Sequence, residues 1–455
     1  MKAVDVVIVG GGIVGTVLAK GLSENVGLNV ALVDAAQPQK AEVTFTATQT
    51  ETSKCEDKPV LSDTRVIALA RRTVHELAHL GIDVNALSEL QGGERPPEIK
   101  QIEVSDQGHL GLVDLHSDDY RIDAFGKVVS LRALTQFAMN VSTSYEHIAP
   151  AKVTSLIQHK AHTTVVLSNN RELKAKLLIL ADGGRSGLAE QVGITKTIKD
   201  YQQTAIVFNV HTQLPHNNKA YERFTPTGPL AFLPFDSNIC GVNASGSGFS
   251  VVWTVNSHEA EQILALSDDA FLSKLQAEFG YRQGKILRVS NKETYPLALT
   301  FADDVTAHRT LVVGNAAQAL HPIAGQGFNL GLRDIYTLVE TLKEAKQQWR
   351  TMQAKADELH SEKQQQAIVD GDSDSDVDFD AGTFDIIHRY AKCRTTDRNN
   401  TMLLTDTLVR TFSNSYVPTV MGRNISLLLL GILPAAKSAF VKQTTGYGNG
   451  AVIPS

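Results

Sequence analysis

Residues 4–34 carry the pattern that most constrains the fold of this chain. An apolar run, Val4–Val9, leads directly into Gly10–Gly15, and a helical pattern and a second apolar run, Leu28–Val33, follow. The turn has glycines at the spacing G-x-G-x-x-G, namely Gly10, Gly12 and Gly15. Such glycines permit a tight turn, close approach of a pyrophosphate and close helix packing, and Asp34 stands where an acid can bind a ribose. We predict a dinucleotide at the N-terminus of the first helix, the alternative being a glycine-rich turn in an ordinary βαβ unit.

The composition describes a globular chain with two packed regions, because 455 residues exceed the usual size of one hydrophobic core. The net charge of -6 gives no electrostatic reason to bind nucleic acid or anionic lipid. Three widely separated cysteines, Cys55, Cys240 and Cys393, lack metal-ligand spacing and indicate reduced thiols. The first strand leaves no room for a signal peptide, and no apolar run approaches the ~20 residues that span a bilayer. We expect a cytoplasmic protein without a transmembrane segment, peripheral to the inner membrane at most.

Two later stretches place acids or glycines directly after buried strands. Lys176–Leu180 leads into Asp182-Gly183, and Thr310–Val313 leads into Gly314-Asn315. Ligands of α/β sheets bind at the carboxyl ends of strands, although an Asp-Gly pair can also be an ordinary turn. A helix predicted from near Gly325 would direct backbone N–H groups at an anion, and a reduced flavin carries negative charge on its pyrimidine side.

Two arginines are predicted near the starts of helices. Ser62-Asp63-Thr64 is typical of a helix cap, and we predict a helix from there through Leu80. Arg65 would lie in its first turn, and Arg132 near the start of a helix over 131–141. A cation is unfavourable at a helix N-terminus unless it faces an anion. We therefore expect Arg65 to contact a phosphate or flavin, the alternative being a solvated surface arginine.

The remaining regions differ in character. Short apolar runs between 204 and 255, separated by proline and glycine, predict an antiparallel sheet in a second domain. Residues 40–59 are predicted to form a surface loop, and 347–380 a disordered acidic linker, because its alternating aspartates lack the glycine and glutamate of a calcium loop. The C-terminal part is predicted to be helical. Its apolar run, Ile425–Leu433, is interpreted as a core-packing helix, with a membrane or partner surface as the alternative.

Together these features resemble the single-component flavin-dependent aromatic hydroxylases. The blocks that carry the resemblance, besides the motifs above, are Val104–His109, Glu222–Thr225, Gly228–Ala231, Tyr295–Thr300 and Asn315–Asn329. It covers nearly the whole chain apart from about 40–59 and 347–380, and it is strongest with the branch that hydroxylates polyprenylated methoxyphenols in ubiquinone biosynthesis. It implies an α/β fold in which a Rossmann-like FAD-binding domain carries an inserted antiparallel-sheet substrate domain and C-terminal helices.

The resemblance implies how the domains interleave along the chain. We expect the FAD-binding domain at 1–98, 129–200 and 299–346, and the substrate domain at 99–128 and 201–298. The acidic linker would cover 347–382 and the helical region 383–455. Three positions depart from the family pattern, which has aspartate, histidine and arginine where this chain has Asn315, Gln318 and Ala189.

The resemblance also implies FAD as cofactor and assigns roles to residues. The implied FAD-binding residues are Gly10, Gly12, Ile13, Gly15, Asp34, Arg65, Arg132, Val153, Asp182, Gly183, Asn315, Gly325, Gln326, Gly327, Phe328 and Asn329. His321 and Pro322 would lie beside the reacting groups. An apolar substrate pocket would be walled by Phe224, Leu230, Phe232 and Pro234. No metal is expected.

The implied reaction begins when reduced FAD and O2 give a C4a-hydroperoxide, whose distal oxygen passes to an electron-rich phenol ring. It needs a reduced electron donor such as NAD(P)H, and the expected partners are proteins of a ubiquinone-biosynthesis complex. His321 could assist phenol deprotonation, the alternative being a histidine that packs on the flavin. Two other functions stay open: a hydroxylase of a small soluble aromatic acid bound by Arg223, and a flavin-binding scaffold subunit without enzymatic activity.

Overall fold

The computed structural model describes residues 2–37, 65–89, 95–109, 111–142, 144–235, 238–239, 242–243, 246–364, 378–412 and 433–447. The predicted surface loop at 40–59, the predicted cap at 62–64, the aspartates at 370–376 and most of the apolar run at 425–433 lie outside the described residues. None of the described helices combines the length and the apolar content that crossing a bilayer requires.

A mostly parallel sheet of eight strands forms the first domain. Its strands are β1 (Lys2–Val9), β2 (Val30–Val33), β8 (Glu146–Ile148), β9 (Val153–Gln158), β10 (Thr163–Leu167), β11 (Glu172–Leu180), β20 (Thr306–Ala307) and β21 (Thr310–Val312). The order β20-β21-β11-β1-β2-β8 has parallel pairing from β21 to β8, and β9 and β10 form a hairpin beside β11. The carboxyl ends of β21, β11, β1, β2 and β8 therefore meet at one edge of the sheet.

The central strand β1 is buried on both faces because its apolar residues occupy successive positions. Val6 and Ile8 pack on one side with the helix α1 (Ile13–Lys20), while Val7 and Val9 pack in a second cluster on the other side. Side chains alternate between faces at every residue of a strand. The predicted strand–helix–strand unit at 4–34 is confirmed.

A second, nine-stranded sheet forms the other domain. Its strands are β5 (Gln101–Asp106), β6 (Leu112–His116), β12 (Lys196–Thr212), β13 (Lys219–Thr225), β14 (Gly228–Pro234), β17 (Gly248–Asn256), β18 (Ile286–Val289), β19 (Glu293–Ala302) and β22 (Gln318–Ala319). All pairs are antiparallel except β5 with β13. Helices α5 (Ser257–Leu264) and α6 (Asp268–Phe279) cover one face. The opposite face contacts residues of the first domain.

Smaller elements connect the two sheets. A three-stranded sheet has β3 (Val66–Ala70), β4 (Glu98–Ile99) and β7 (Gly126–Ser130), and a two-stranded one has β15 (Asn238–Ile239) and β16 (Val242–Asn243). The remaining α-helices are α2 (Arg71–His79), α3 (Leu131–Asn140), α4 (Leu188–Gln191), α7 (Gln326–Gln364), α8 (Phe384–Phe412) and α9 (Pro434–Thr444). Short 3₁₀ turns lie at Val84–Glu89, Ser117–Tyr120, Gly314–Ala316 and Ile323–Gly325, and a π-turn at Gly21–Asn25.

Two predictions about secondary structure are wrong. The predicted helix through Leu80 begins only at Arg71, because Val66–Ala70 pairs with β7 as a strand. The predicted disordered linker is helical at its start, since α7 continues to Gln364. At the other end of the linker, Asp380 forms a bidentate ion pair with Arg309 (both N···O distances 2.8 Å), so this end is held against the first domain.

Candidate active site

The first turn of the chain is shaped for close approach. Gly10 has φ +111°, and a Cβ there would lie 2.5 Å from the Ala181 carbonyl oxygen. A Cβ on Gly15 would lie 1.9 Å from the Gly10 carbonyl oxygen, so only glycine lets α1 pack against the turn. A Cβ on Gly12 would meet no atom of the described residues within 4 Å, just before α1 begins at the buried Ile13. This open space in front of a helix N-terminus suits a phosphate.

Asp34 borders this glycine turn. Its N–H donates to the Ile148 carbonyl (3.0 Å), and its own carbonyl accepts from the Ala151 N–H (2.7 Å). A Cβ on Gly11 would lie 2.3 Å from Asp34 Oδ2. Val153, predicted near the adenine, begins β9 close by, and its side chain is buried. The fold thus brings the acid and the turn together, and a ribose contact stays a prediction.

Loops after β11 and β21 border the same turn. The Asp182 carboxylate accepts from the N–H groups of Gly184 (2.9 Å) and Ser186 (3.2 Å) and from the Ser186 hydroxyl. It therefore shapes its own turn, in which Gly183 has φ +70°. Asn315, in the 3₁₀ turn after β21, is exposed. Asn315 thus has its side chain at the surface of the sheet edge, whereas Asp182 is occupied by backbone donors.

Residues 321–329, the 321–329 loop, comprise the connection that follows β22 and the first turn of α7, and they lie beside β3. Gly325 has φ +59°, and its N–H donates to the Pro322 carbonyl (3.0 Å). The Asn329 amide accepts from the Ala70 N–H (2.8 Å) and donates to the carbonyls of Ala68 (2.9 Å) and Gly325 (2.7 Å). Because these bonds use both ends of the amide, Asn329 positions the turn. The Gly325 N–H is likewise bonded within its own turn, and a contact of Gly325 or Asn329 with the cofactor stays a prediction.

The first turn of α7 carries the rest of the predicted loop residues. The Gln326 side chain is buried and donates to the Thr444 carbonyl at the end of α9 (3.4 Å). Phe328 packs its ring against the core beneath β1. Both side chains therefore serve the fold, and a contact with a ligand would come from the main chain at the helix start, as at Gly327, where N–H groups lack intrahelical acceptors.

His321 is completely buried, with 0% exposure. Neither ring nitrogen has a hydrogen-bond partner among the described residues, and the ring packs edge-on against Tyr201 with centroids 5.5 Å apart. Burial lowers the pKa of His321 to about 4. The imidazole is therefore neutral near pH 7 and is a weak base, which argues against the predicted role in phenol deprotonation.

The two segments that carry the predicted arginines are hydrogen-bonded to each other. Arg65 precedes β3, is exposed, and accepts a hydrogen bond at its carbonyl from the Leu131 N–H (2.9 Å). Arg132 lies in the first turn of α3, which Ser130 caps by accepting from the Ala133 N–H (3.0 Å). Arg65 therefore stands before a strand and not in a helix, and the prediction that both arginines contact the flavin or its phosphates stays a prediction.

The predicted substrate residues lie on two different faces of the second sheet. Phe224 packs in an apolar cluster that includes Ile323 of the 321–329 loop. Leu230 and Phe232 pack on the other face, where Phe232 stacks on Phe279 of α6 with centroids 3.8 Å apart. Strand alternation places Pro234 on that side too. Only Phe224 can wall a pocket facing the first domain, and we correct the assignment of the other three.

Two residues near the site were not predicted from the sequence. Asp334 is buried on α7 between Leu330 and Leu338, and a charge within an apolar i, i+4 series is a usable signal for a buried ion pair. Tyr201, which packs on His321 and donates its hydroxyl to Asp406 Oδ1 (3.1 Å), has no such signal. It lies at an irregularity of β12, where the pairing register with β19 shifts.

Residues 3–367 match the family described as FAD binding domain. The chain belongs to this family. A ubiquinone hydroxylase, UbiL, of Rhodospirillum rubrum is 30% identical over 449 residues, covering 98% of this chain and 90% of that protein. The 3-demethoxyubiquinol 3-hydroxylase of Escherichia coli is 26% identical and covers 75% of this chain and 80% of its own length.

A solved structure supports the fold. The p-nitrophenol 4-monooxygenase PnpA of Pseudomonas putida superposes with a TM-score of 0.69 over 99% of this chain and 100% of that chain, at 15% identity. The predicted α/β architecture with an inserted sheet domain is confirmed. The family member described here is an FAD-dependent monooxygenase, an oxidoreductase that uses O2.

The sheet edge fits this cofactor. The open space before Gly12 can take a phosphate, and Asp34 lies beside it. His321, whose ring nitrogens have no hydrogen-bond partner within the described ranges, and the left-handed turn at Gly325 lie on the chain segment that leads into α7. Buried polar atoms without partners mark places where a ligand completes the structure. The residues present are thus compatible with FAD extending from the glycine turn to the 321–329 loop.

Proposed function

We propose that this FAD-dependent monooxygenase hydroxylates the aromatic ring of a polyprenylated methoxyphenol in ubiquinone biosynthesis. The glycine turn and Asp34 would bind the adenosine diphosphate part of FAD, and the 321–329 loop would face the flavin ring. One atom of O2 would enter the substrate ring and the other would leave as water, with two electrons from a reduced donor such as NAD(P)H. The names of two relatives that match most of this chain support a ubiquinone-related substrate.

The observation that carries the proposal is an apolar cluster between the second sheet and the 321–329 loop. Phe224 of β13 stacks on Phe412 of α8, with ring centroids 3.8 Å apart. Ile323 of the loop and Val441 of α9 are buried in the same cluster. An apolar wall next to the reacting groups suits a prenylated ring, since burial of hydrocarbon is favourable by about 25 cal/mol per Å².

A cavity of about 540 Å³ opens beside this cluster and supports an entrance for the substrate. Tyr201 and Val409 line the cavity and also belong to or pack against the apolar cluster. The rest of the lining is mainly polar, including Gln202 and Arg410. We therefore propose that the prenylated substrate enters between β12 and α8 and that its ring passes Tyr201 on the way to the 321–329 loop.

Bound FAD supplies the oxygen activation, and the protein contributes position and environment. Exclusion of water by the apolar cluster strengthens every electrostatic contact inside the site. The neutral ring of His321 can donate or accept one hydrogen bond per nitrogen without carrying charge. We propose that it packs beside the flavin or the phenol and orients it, while the phenol loses its proton to a base other than His321.

The alternative substrate, a small aromatic acid, would need a cation in the pocket. The only candidate from the sequence, Arg223, donates through Nε to the Glu278 carbonyl (2.7 Å) and approaches the Ser105 hydroxyl (3.5 Å). These contacts hold its guanidinium at the end of α6 and β5.

The alternative function as a flavin-binding scaffold subunit is tested by asking whether bound flavin is reduced by a donor and reoxidised by air.

The test compares a prenylated methoxyphenol with its tail-less analogue, using purified enzyme, FAD, a reductant and air. We expect ring hydroxylation of both, with a lower KM for the prenylated compound. Phe224→Ala should raise KM for the prenylated compound by about tenfold, because a truncated buried phenylalanine loses apolar contact. The control is Phe384→Ala, which removes a 75% exposed ring on α8. Equal kcat/KM for the two compounds in the wild-type enzyme would contradict the prenylated substrate.

We propose further that the enzyme works in the cytoplasm at the surface of the inner membrane, where a prenylated substrate partitions. Association with other proteins of ubiquinone biosynthesis belongs to the same proposal. Flotation of the full chain with phospholipid vesicles, with and without prenylated phenol, tests the membrane part directly. Recovery of the protein only in the unbound fraction under both conditions would contradict it.

A further inference from the structure

A buried carboxylate lies where three parts of the chain meet. Asp334, on α7, is 2% exposed. Its Oδ2 accepts from the Gly314 N–H (3.1 Å) and from Nε2 of Gln318 (2.7 Å), and its Oδ1 accepts from Nε of Arg394 on α8 (2.8 Å). A carboxylate removed from water needs donors and a cation in place of its hydration, and Asp334 has both.

Arg394 is also buried, with 4% exposure, and forms a second ion pair with Asp397 (2.6 Å). Asp397 in turn pairs with Arg333 (3.2 Å). Burial alone would lower the pKa of Arg394, but Asp334 and Asp397 raise it above the ordinary arginine value. The cluster therefore contains two acids and two permanently charged arginines, and its formal charges balance.

The groups that Asp334 holds belong to the loop after β21. Gly314 begins the turn that carries the exposed Asn315, and its φ is +59°. A Cβ on Gly314 would lie 3.2 Å from Val14 of α1, so this loop packs directly on the helix that follows the glycine turn. A shift of Gly314 would move both the main chain at Asn315 and its packing on α1.

We propose that Asp334 and Arg394 are positioning residues for FAD. Asp334 fixes the loop after β21 against α1, and Arg394 pairs with the Asp334 carboxylate and orients it. The C-terminal helix α8 is thereby part of the cofactor site, although Arg394 lies 60 residues beyond Asp334 in the chain. The inference rests on the proposed position of FAD at the edge of the first sheet.

The first test is titration of full-length apoprotein with FAD, followed by flavin fluorescence. Arg394→Gln should raise the Kd for FAD by about tenfold or more, the usual scale of coupling between linked sites. The matched control is Arg389→Gln, which removes an arginine of the same helix that pairs with Glu344 of α7 at the surface. This control does not reach the loop and should leave the Kd unchanged.

Two further variants separate positioning from general destabilisation. Arg394→Lys keeps the charge but lacks the planar fork of the guanidinium, and Asp334→Asn keeps the shape but removes the charge. Both should weaken FAD binding and alter the visible circular dichroism of the bound flavin. A merely structural role would lower the melting temperature of the apoprotein and leave the Kd and the flavin spectrum of the folded variants unchanged.

Wild-type FAD affinity in the folded Arg394 and Asp334 variants would overturn the inference, whatever their thermal stability. If Arg394→Gln does not fold, Arg394→Lys and Asp334→Asn decide the question by the same titration. No aromatic substrate is present in these measurements. A wild-type enzyme that binds FAD normally but does not hydroxylate the prenylated phenol would therefore count against the proposed function alone.

Discussion

His321 shows how burial sets the chemistry of a single residue. Its neighbours supply no hydrogen bond to either ring nitrogen among the described residues, and desolvation lowers its pKa to about 4. The sequence gives only the residue type, whose ordinary pKa is near neutrality. Because the ring is buried against Tyr201, which is 120 positions away in the chain, the lowered pKa of His321 could not be inferred from sequence.

The lowered pKa of His321 predicts a dependence of stability on pH. The unfolded chain binds a proton at this histidine below about pH 6.5, whereas the folded chain does so only below about pH 4. The free energy of unfolding should therefore fall by about 2 kcal/mol between pH 7 and pH 5 through this group. Urea unfolding of the apoprotein at the two pH values measures this change. In His321→Phe the same pH change should cost about 2 kcal/mol less, and an equal loss in both proteins would contradict the assignment.

At the scale of one element, a methyl group added at two positions of the turn before α1 should have different effects on stability and on FAD binding. A Cβ at Gly15 collides with the Gly10 carbonyl, whereas a Cβ at Gly12 meets no described atom. We expect Gly15→Ala to lose both stability and FAD binding. Gly12→Ala should keep apoprotein stability within about 1 kcal/mol but weaken FAD binding by tenfold or more, since its methyl group fills the phosphate space.

Calorimetry of the apoproteins together with FAD titration distinguishes the two glycine variants. The comparison is internal, because both substitutions add the same atoms three residues apart. Normal FAD affinity in Gly12→Ala would show that the pyrophosphate does not occupy the space in front of α1. Normal affinity in Gly15→Ala would mean that α1 can move away from the turn without consequence.

Elements formed by neighbouring residues were predictable, and those that depend on distant pairing were not. The unit from Val4 to Asp34 is local, so its spacing alone predicts strand, turn, helix and acid. Val66–Ala70 is a short apolar run compatible with either helix or strand, and its pairing with β7 decides. The opposite faces of Phe224 and Phe232 depend on the orientation of a whole sheet.

At the scale of the molecule, α8 joins the two domains. Its beginning packs against α7 in the first core, and its end reaches the apolar face of the second sheet, where Phe412 stacks on Phe224. The Asp334–Arg394 ion pair fixes the segment between. No local pattern predicts these contacts, because even the Asp334–Arg394 ion pair joins residues 60 positions apart in the chain.

Removal of an aromatic side chain at the C-terminal end of α8 should destabilise the second domain. Phe412→Ala removes a buried, stacked ring and should lower the free energy of unfolding by about 3 kcal/mol. The control, Leu403→Ala, changes a 68% exposed side chain on the same helix and should cost less than about 0.5 kcal/mol. Urea denaturation followed by tryptophan fluorescence, to which Trp253 of the second core and Trp349 of α7 contribute, measures both. Equal stabilities would mean that α8 does not support the substrate sheet.

The position of α8 and α9 in the chain has a consequence for synthesis. β1 leaves the ribosome well before Arg394 and Thr444, whose contacts close the site, are translated. At about 5–20 residues per second, β1 precedes α8 by roughly 20 seconds or more. During that interval the glycine turn exists while Asp334 lacks its cation, so we expect the nascent chain to take up FAD firmly only after α8 has emerged and packed.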